Sequence, residues 1–250
     1  MIRSLTPEEY PITLYVNGEE LATYQLSKAD LKDWAAGYLY AEGIIEGPDD
    51  LQRLSIDESR NTVLAEVARF NKSAFGNKKK HYTAGCGKGM TFFSMTDVKK
   101  FNKVNSKRAA SISYLLKKRH EFAQASPMYL SSGGMHGACI ILPDGTITVR
   151  EDIGRHNAVD KILGHALLNG LNPEELILLT TGRISYEMLS KSARFGIGII
   201  GSRTAATKQA VELARFLNIE LVGYLRGKMA TVYTSSGRVL NDVSEKAAGG

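Results

Sequence analysis

The two cysteines of the chain lie in contrasting surroundings. Cys86 belongs to the glycine-rich run 83–89, which has no apolar pattern and places Lys88 two residues away, and a nearby cation favours the reactive thiolate. Cys139 belongs to the apolar run 138–142 and is expected to be a small buried residue rather than a nucleophile. The residues therefore favour Cys86 as the reactive thiol, with a plain glycine linker as the alternative interpretation.

Arginines recur where predicted strands lead into helices. Arg155, Arg183 and Arg203 each follow an apolar run, together with glycine and with hydroxyl or amide side chains. Because carboxyl ends of parallel strands and helix N-termini meet at one edge of a sheet, these loops indicate a site for a polyanionic ligand. The alternative is structural ion pairing with nearby carboxylates. Those carboxylates belong to Glu151, Asp152, Asp160 and Glu187.

Other kinds of catalytic site are not indicated. The five histidines and two cysteines show no C-x-x-C, H-x-x-x-H or H-x-E spacing, so no metal site is expected. The chain also lacks a G-x-S-x-G nucleophile elbow and a G-x-G-x-x-G turn after a first strand. His136 follows the pair Gly133-Gly134; it could be an acid or base, but a structural hydrogen bond is the simpler role.

The elements that must position these residues change character along the chain. Two β-prone runs flank Asn17-Gly18, a strong hairpin signal. Ser27 is expected to cap a helix that ends near Glu42. A further strand pair is expected at residues 51–56 and 62–68.

The second half follows a different pattern. After a helix near residues 107–124, short apolar runs alternate with helical segments, which is typical of an α/β sheet with a mostly parallel part. The expected strands are residues 138–142, 146–149, 176–179, 197–200 and 220–223, with an edge strand at 231–234. The expected helices are residues 158–168, 186–195 and 205–217. We predict a smaller, mainly β region over residues 1–105 and an α/β domain over residues 106–250.

Composition and charge exclude several classes of protein. With 250 residues, 43% hydrophobic and 23% charged, the chain is not disordered and can bury a full core. It has no signal-like or membrane-length apolar stretch and only two cysteines, so a location in a reducing cytoplasm is expected. Residues 99–119 are basic without an acidic residue, which suits either an acidic partner or a solvated helix. Basic and aromatic residues are not interleaved there, so no nucleic-acid partner is expected.

One segment resembles a family signature. Residues 150–161, with the sequence REDIGRHNAVDK, resemble the signature block of the formate dehydrogenase accessory sulfurtransferases, the FdhD/NarQ family. Companion motifs follow the family's order at residues 16–18, 37–45, 133–136, 182–188 and 221–226. The resemblance extends from about Pro11 to Thr234, nearly the whole chain.

This resemblance implies a function. Members of the family take sulfur from a cysteine desulfurase as a persulfide on a loop cysteine. They deliver it to the bis(molybdopterin guanine dinucleotide) molybdenum cofactor before the cofactor enters formate dehydrogenase. Cys86 matches the persulfide cysteine of the family. The expected cofactor-binding stretch comprises Tyr224, Leu225, Arg226, Gly227, Lys228 and Met229.

The resemblance also implies a cytidine-deaminase-like, three-layer larger domain and a homodimer. Many members carry C-x-x-C in the loop, whereas Gly89 occupies the last position here. A single cysteine suffices for a relay, because the terminal sulfur is passed on by attack at that sulfur. The alternative function is a chaperone that binds the molybdenum cofactor without sulfur chemistry.

Overall fold

The computed structural model describes residues 6–70, 80–82 and 102–242. Cys86 and Gly89 lie outside the described residues, as do the first residues of the basic segment. The strands are β1 (Tyr10–Val16), β2 (Glu19–Leu26), β3 (Leu51–Asp57), β4 (Thr62–Val67), β5 (Lys80–Tyr82), β6 (Ala110–Ser111), β7 (His136–Ile141), β8 (Ile147–Asp152), β9 (Ile177–Thr180), β10 (Ile199–Ser202), β11 (Glu220–Arg226), β12 (Met229–Val232) and β13 (Val239–Leu240). The helices are α1 (Leu31–Ala41), α2 (Ile112–Gln124), α3 (Pro127–Ser132), α4 (Arg155–Leu168), α5 (Tyr186–Phe195) and α6 (Lys208–Phe216).

The N-terminal strands form a mixed sheet in the order β3-β4-β1-β2-β5. β1 and β2 are an antiparallel hairpin whose turn residues, Asn17 and Gly18, have φ angles of 50° and 81°. Asparagine and glycine tolerate this left-handed conformation, so the hairpin predicted from their sequence is confirmed.

The second sheet has six strands in the order β12-β11-β10-β9-β7-β8. β9, β10 and β11 are parallel, and β7 is antiparallel to both β8 and β9, so β8 runs in the same direction as β9. Every residue of β9 and β10 is buried, as expected for central strands covered on both faces. The carboxyl ends of β8 to β11 therefore meet at one edge, which we call the carboxyl edge.

Helices cover both faces of this sheet. On one face, α4, α5 and α6 pack over Ile140, Leu178 and Ile200 in the larger core cluster. On the other, α2 packs over Cys139 and Leu179 in a second cluster. Successive residues of the strands thus serve opposite layers, which gives the predicted α/β fold its three-layer form. The more specific likeness to cytidine deaminases stays a prediction.

The larger cluster continues into the N-terminal part of the chain. It includes buried residues of β1, β2 and α1 together with residues of α4. α1 lies directly against α4, where Gly37 faces Gly164 so closely that an added Cβ on either would meet the backbone of the other. The division at residues 105 and 106 stays a prediction, and the core described here extends across it.

Four predicted helix starts are wrong: α4 begins three residues earlier than predicted, at Arg155, and α1, α2 and α6 begin later. α1 begins at Leu31 after Asp30, which adopts a left-handed conformation with φ of 54°, and Ser27 does not cap it. Ser27 instead turns inward to Asp152, a partner that cannot be recognised from local sequence. The helix expected near residue 107 begins at Ile112, because the Ser111 hydroxyl accepts from the Tyr114 N–H.

Several elements have different limits from those predicted. β8 continues to Asp152 and β11 to Arg226, because backbone pairing continues after the apolar side chains end. Arg150 consequently lies within β8, not in the following loop. The edge strand begins earlier than predicted, at Met229, and α6 begins later, at Lys208 after the Thr207 cap.

Candidate anion-binding site

Backbone hydrogen bonds connect the segments at the carboxyl edge. The N–H of Thr181 donates to Gly137 O, and the N–H of Arg203 donates to Thr180 O, both at 3.0 Å. In the same way, the N–H of Tyr224 donates to Thr204 O at 3.0 Å. The exits of β9, β10 and β11 are therefore joined to one another, and Arg155, which follows β8, lies against Gly182 in the loop after β9.

The three predicted arginines are available to a ligand. No acidic side chain in the described part of the chain lies within 4.0 Å of the guanidinium groups of Arg155, Arg183 or Arg203. Arg183 and Arg203 are exposed, and Arg155 is half-buried. Its Nε is buried without a hydrogen-bond partner among the residues described. Arg155 also packs against the backbone of the next loop, where a Cβ on Gly182 would lie 2.9 Å from its own Cβ.

The carboxylates considered as alternative partners are occupied elsewhere. Glu151 accepts from the N–H groups of Met128 and Tyr129, at 3.0 and 2.7 Å. Asp152 and Asp160 each bind a lysine of the helices, whereas Glu187 lies beside an imidazole. Asp152 lies 2.7 Å from Lys161 Nζ, Asp160 lies 2.7 Å from Lys191 Nζ, and Glu187 lies 3.5 Å from His156 Nε2. Within residues 6–70, 80–82 and 102–242, structural ion pairing therefore does not account for the arginines at the carboxyl edge.

Two residues that the sequence analysis did not assign to this site extend the cluster. Arg203 Nη1 donates to the hydroxyl of Tyr129 at 3.3 Å. Burial, followed by the positive charge of Arg203, lowers the pKa of Arg119. The guanidinium group of Arg119 is therefore close enough to that of Arg203 for their charges to interact. Arg119 is a member of the predicted basic segment, but its proximity to Arg203 depends on α2 packing across the sheet. Local sequence carries no signal for that proximity.

The histidines at this edge are neutral near pH 7. Burial, followed by the charge of Arg155, lowers the pKa of His136, and its Nδ1 lies 3.3 Å from Thr181 Oγ1. Burial, followed by the charges of Lys191 and Arg155, lowers the pKa of His156 to about 3. The positive potential at the carboxyl edge therefore comes from guanidinium groups, and His136 makes the structural hydrogen bond considered for it.

A buried network fixes the strand that precedes α4. Lys161 is fully buried, and its Nζ lies 2.7 Å from both Asp152 Oδ2 and Ser27 Oγ. Asp152 also accepts from the side chain of Asn157 and the N–H of Gly154. This network sets the position of the α4 N-terminus beside the arginines. Lys161 was not among the predicted site residues, because its helical neighbours Asn157 and His165 are polar and local sequence gives no signal of a buried cation.

The stretch expected to bind the cofactor forms a hairpin beside Arg203. It comprises the end of β11, a turn at Gly227 and Lys228, and the first residue of β12. Tyr224 has a φ of 52°, a strained conformation for a bulky residue, and the guanidinium of Arg226 lies 5.5 Å from its ring centre. The Leu225 side chain is buried in the core, whereas the rest of the stretch is exposed. Leu225 can therefore position the hairpin but cannot present its side chain to a ligand.

The structure describes one of the two cysteines, Cys139. Cys139 is fully buried, and burial raises the pKa of its thiol, so its predicted role in the core is confirmed. The assignment of Cys86 stays a prediction because that residue lies outside the described ranges.

Among the residues that are described, no group of three or more His, Cys, Asp or Glu side chains could hold a metal ion. No helix in the same ranges is long and apolar enough to cross a membrane.

Comparison with known proteins identifies the family. The FdhD/NarQ family model matches residues 7–240. A sulfur carrier protein FdhD from Listeria monocytogenes serotype 4b (strain F2365) is 37% identical over 241 residues, which is 95% of this chain and 92% of the relative. A protein of the same name from Bacillus subtilis (strain 168) is 33% identical over 236 residues, with 92% and 88% covered.

A solved structure has the same fold. It is the crystal structure of a protein described as a formate dehydrogenase accessory protein from Desulfotalea psychrophila. It superposes with a TM-score of 0.77 at 24% sequence identity and covers 94% of this chain and 90% of that one. At this identity the likeness concerns the fold alone, whereas the family match rests on sequence along almost the whole chain. The chain belongs to the FdhD/NarQ family.

Proposed function

We propose that this chain is a sulfur carrier for formate dehydrogenase, with Cys86 as the persulfide cysteine and the molybdenum cofactor as the cargo that receives the sulfur. Two close relatives are named sulfur carrier proteins, which supports the first part of the proposal. The proposed sulfur donor is a cysteine desulfurase. A homodimer in the cytoplasm is the expected state of the protein.

The observation that carries the cargo assignment is the set of guanidinium groups at the carboxyl edge. Arg155, Arg183 and Arg203 have no described carboxylate partner, and burying or clustering such charges without an anion is unfavourable. A bis(molybdopterin guanine dinucleotide) cofactor carries several phosphates, and guanidinium groups bind phosphate oxygens in bidentate geometry. The exposed Arg226 and Lys228 of the neighbouring hairpin would extend the same surface.

The loading step needs only one cysteine in the carrier. The Cys86 thiolate would attack the terminal sulfur of a persulfide on the donor, forming a new S–S bond as the donor's S–S bond breaks. The donor cysteine leaves as a thiolate, and Cys86 holds the persulfide. No resolving cysteine is required, which agrees with Gly89 at the last position of the loop motif.

Intact-mass measurement after incubation with a cysteine desulfurase and cysteine tests this proposal. We expect the unmodified chain and Cys139→Ala to gain one sulfur atom and Cys86→Ala to gain none. Sulfur on Cys86→Ala would overturn the site, and no gain by the unmodified chain would overturn the carrier function. The chaperone alternative predicts that Cys86→Ala still supports full formate dehydrogenase activity in a complementation assay.

A further inference from the structure

The six-stranded sheet ends in an open strand beside the hairpin. β12 pairs with β11 on one side and occupies the end of the strand order, so no described strand covers its other side. The N–H of Tyr233 donates to Leu221 O at 2.8 Å, towards β11. Because successive residues of a strand alternate in direction, the N–H and C=O of Val232 point away from β11. β12 therefore presents backbone groups that can pair with another chain.

The side chains of β12 do not protect this edge. Soluble proteins usually guard an open strand with lysine, proline or a bulge, because an apolar edge is a template for pairing. The sequence of β12 is Met-Ala-Thr-Val, and the irregularity in its ladder lies on β11, between Gly223 and Arg226. Met229 is 59% exposed and Val232 39% exposed. The edge is therefore short but apolar, and its four residues can accept one added strand.

A groove runs along the same edge. Its volume is about 1000 Å³, and its lining includes all four residues of β12 together with Ile112, Val239 and Asn241. Arg226 and Lys228 are the charged side chains among the described residues that line it, and both are positive. The groove therefore suits an extended segment with apolar side chains and a carboxylate near the hairpin turn.

From these features, we infer that the outer edge of β12 is the docking site for an extended, acidic segment of the enzyme that accepts the cofactor, which pairs with β12 as an added strand. This rests on the proposed function, because the strand starts directly after the turn expected to hold the cofactor. A protein docked here would receive its cargo from the adjacent hairpin. Its carboxylate would replace the cofactor phosphates at Arg226 and Lys228 as the cargo is passed on.

Binding of the purified full-length chain to purified cofactor-free formate dehydrogenase tests the inference. Val232→Lys places a charge on the open edge, and Val232→Pro removes the outward N–H without removing a hydrogen bond to β11. We expect both substitutions to weaken the complex by about tenfold or more. Leu64→Lys is the matched control, since Leu64 is 42% exposed on β4 of the other sheet, and it should bind like the unmodified chain.

Hydrogen exchange supplies a second measurement that does not depend on a variant. The amide of Val232 should become protected in the complex, and both variants should retain the melting temperature of the unmodified chain. Unchanged affinity, absence of protection or absence of any complex would overturn the docking site. Loss of self-association in the Val232 variants, with enzyme binding intact, would also overturn it by assigning the edge to a second copy. Sulfur loading of Cys86 in the same preparations reports separately on the proposed function.

Discussion

Gly37 of α1 and Gly164 of α4 lie face to face at the point where the two helices meet. A Cβ on Gly37 would lie 2.7 Å from Gly164 N, and a Cβ on Gly164 would lie 2.6 Å from Gly37 N. Cβ atoms in proteins do not lie this close to a backbone nitrogen. The interface between the two helices therefore has no room for a methyl group. This contact joins the N-terminal part of the chain to the helix that begins beside the arginines.

Gly37→Ala should therefore destabilise the protein although alanine favours helix formation. We expect a loss of about 1–3 kcal/mol or more, because α1 and α4 must separate to admit the methyl group. Urea unfolding measures the change. Gly47→Ala is the control, because a methyl group added at Gly47 would have no other atom within 4 Å. Equal stability of the two variants would contradict the close packing.

Neutralising an arginine at the carboxyl edge should weaken binding of a phosphate-rich ligand. Arg155→Gln and Arg203→Gln should each reduce the affinity for guanosine diphosphate, used as a probe, by about tenfold, since hydrogen bonds to charged groups contribute about 1.5–3 kcal/mol. Calorimetric titration at low salt measures the effect. Arg60→Gln, an exposed arginine paired with Asp57, should bind the probe normally. Equal affinities for all the variants would exclude the edge as the phosphate site.

Removing the buried charge of Lys161 should strongly destabilise the folded protein. Lys161→Met leaves Asp152 buried without its cation, and breaking such a pair typically destabilises by about 3–5 kcal/mol. Lys208→Met is the matched control, because the pair of Lys208 with Glu212 is 3.9 Å long and exposed. The double variant Lys161→Met with Asp152→Asn should recover part of the loss in urea unfolding. No recovery would show that the lysine acts through packing alone.

Cys139 should be inert in the folded protein. In a Cys86→Ala background, iodoacetamide should not modify Cys139 at pH 8 until the chain is unfolded, because burial raises the pKa of the thiol and blocks access. Cys139→Ser should cost about 1–3 kcal/mol, since it places a hydroxyl in an apolar core. Rapid modification of the folded chain, read by mass spectrometry, would contradict this assignment.

Stability should fall in acid partly through His156. Its pKa is about 3 in the folded chain and 6.5 as the ordinary value, so below pH 6.5 the unfolded chain binds a proton that the folded chain does not. The stabilising contribution of neutral His156 to the free energy of unfolding is therefore complete above pH 6.5. It is lost progressively as the pH falls towards 3. His156→Gln should flatten the dependence of the urea midpoint on pH between 4 and 7. The same pH dependence in His156→Gln and in the unmodified chain would contradict this role of His156.

Local chemistry predicted the parts of the fold that depend on local conformation. Asn17 and Gly18 identify their hairpin because few residues adopt a left-handed conformation. The convergence of Arg155, Arg183 and Arg203 follows from the direction of strands that alternate with helices. These features require only the order of elements along the chain.

Features that depend on distant partners could not be predicted in the same way. Serine is a preferred residue at helix N-caps, so local sequence predicts that Ser27 caps α1. Its hydroxyl instead binds Asp152, which is far away in sequence. Lys161 has the local sequence context of a solvent-exposed helix residue, and its burial depends on that same carboxylate. The buried position of Leu225 within an otherwise exposed stretch depends on the packing of α2 against β11.

The bond between Ser27 and Asp152 has a consequence for biosynthesis. The two residues are separated by 125 positions, so a ribosome adding about 5–20 residues per second completes the partner roughly 6–25 seconds after Ser27. During that interval the hairpin of β1 and β2 lacks both the carboxylate and the Lys161 ammonium that its last residues require. The N-terminal sheet therefore emerges as an incomplete unit and reaches its final packing only after α4 has been synthesised.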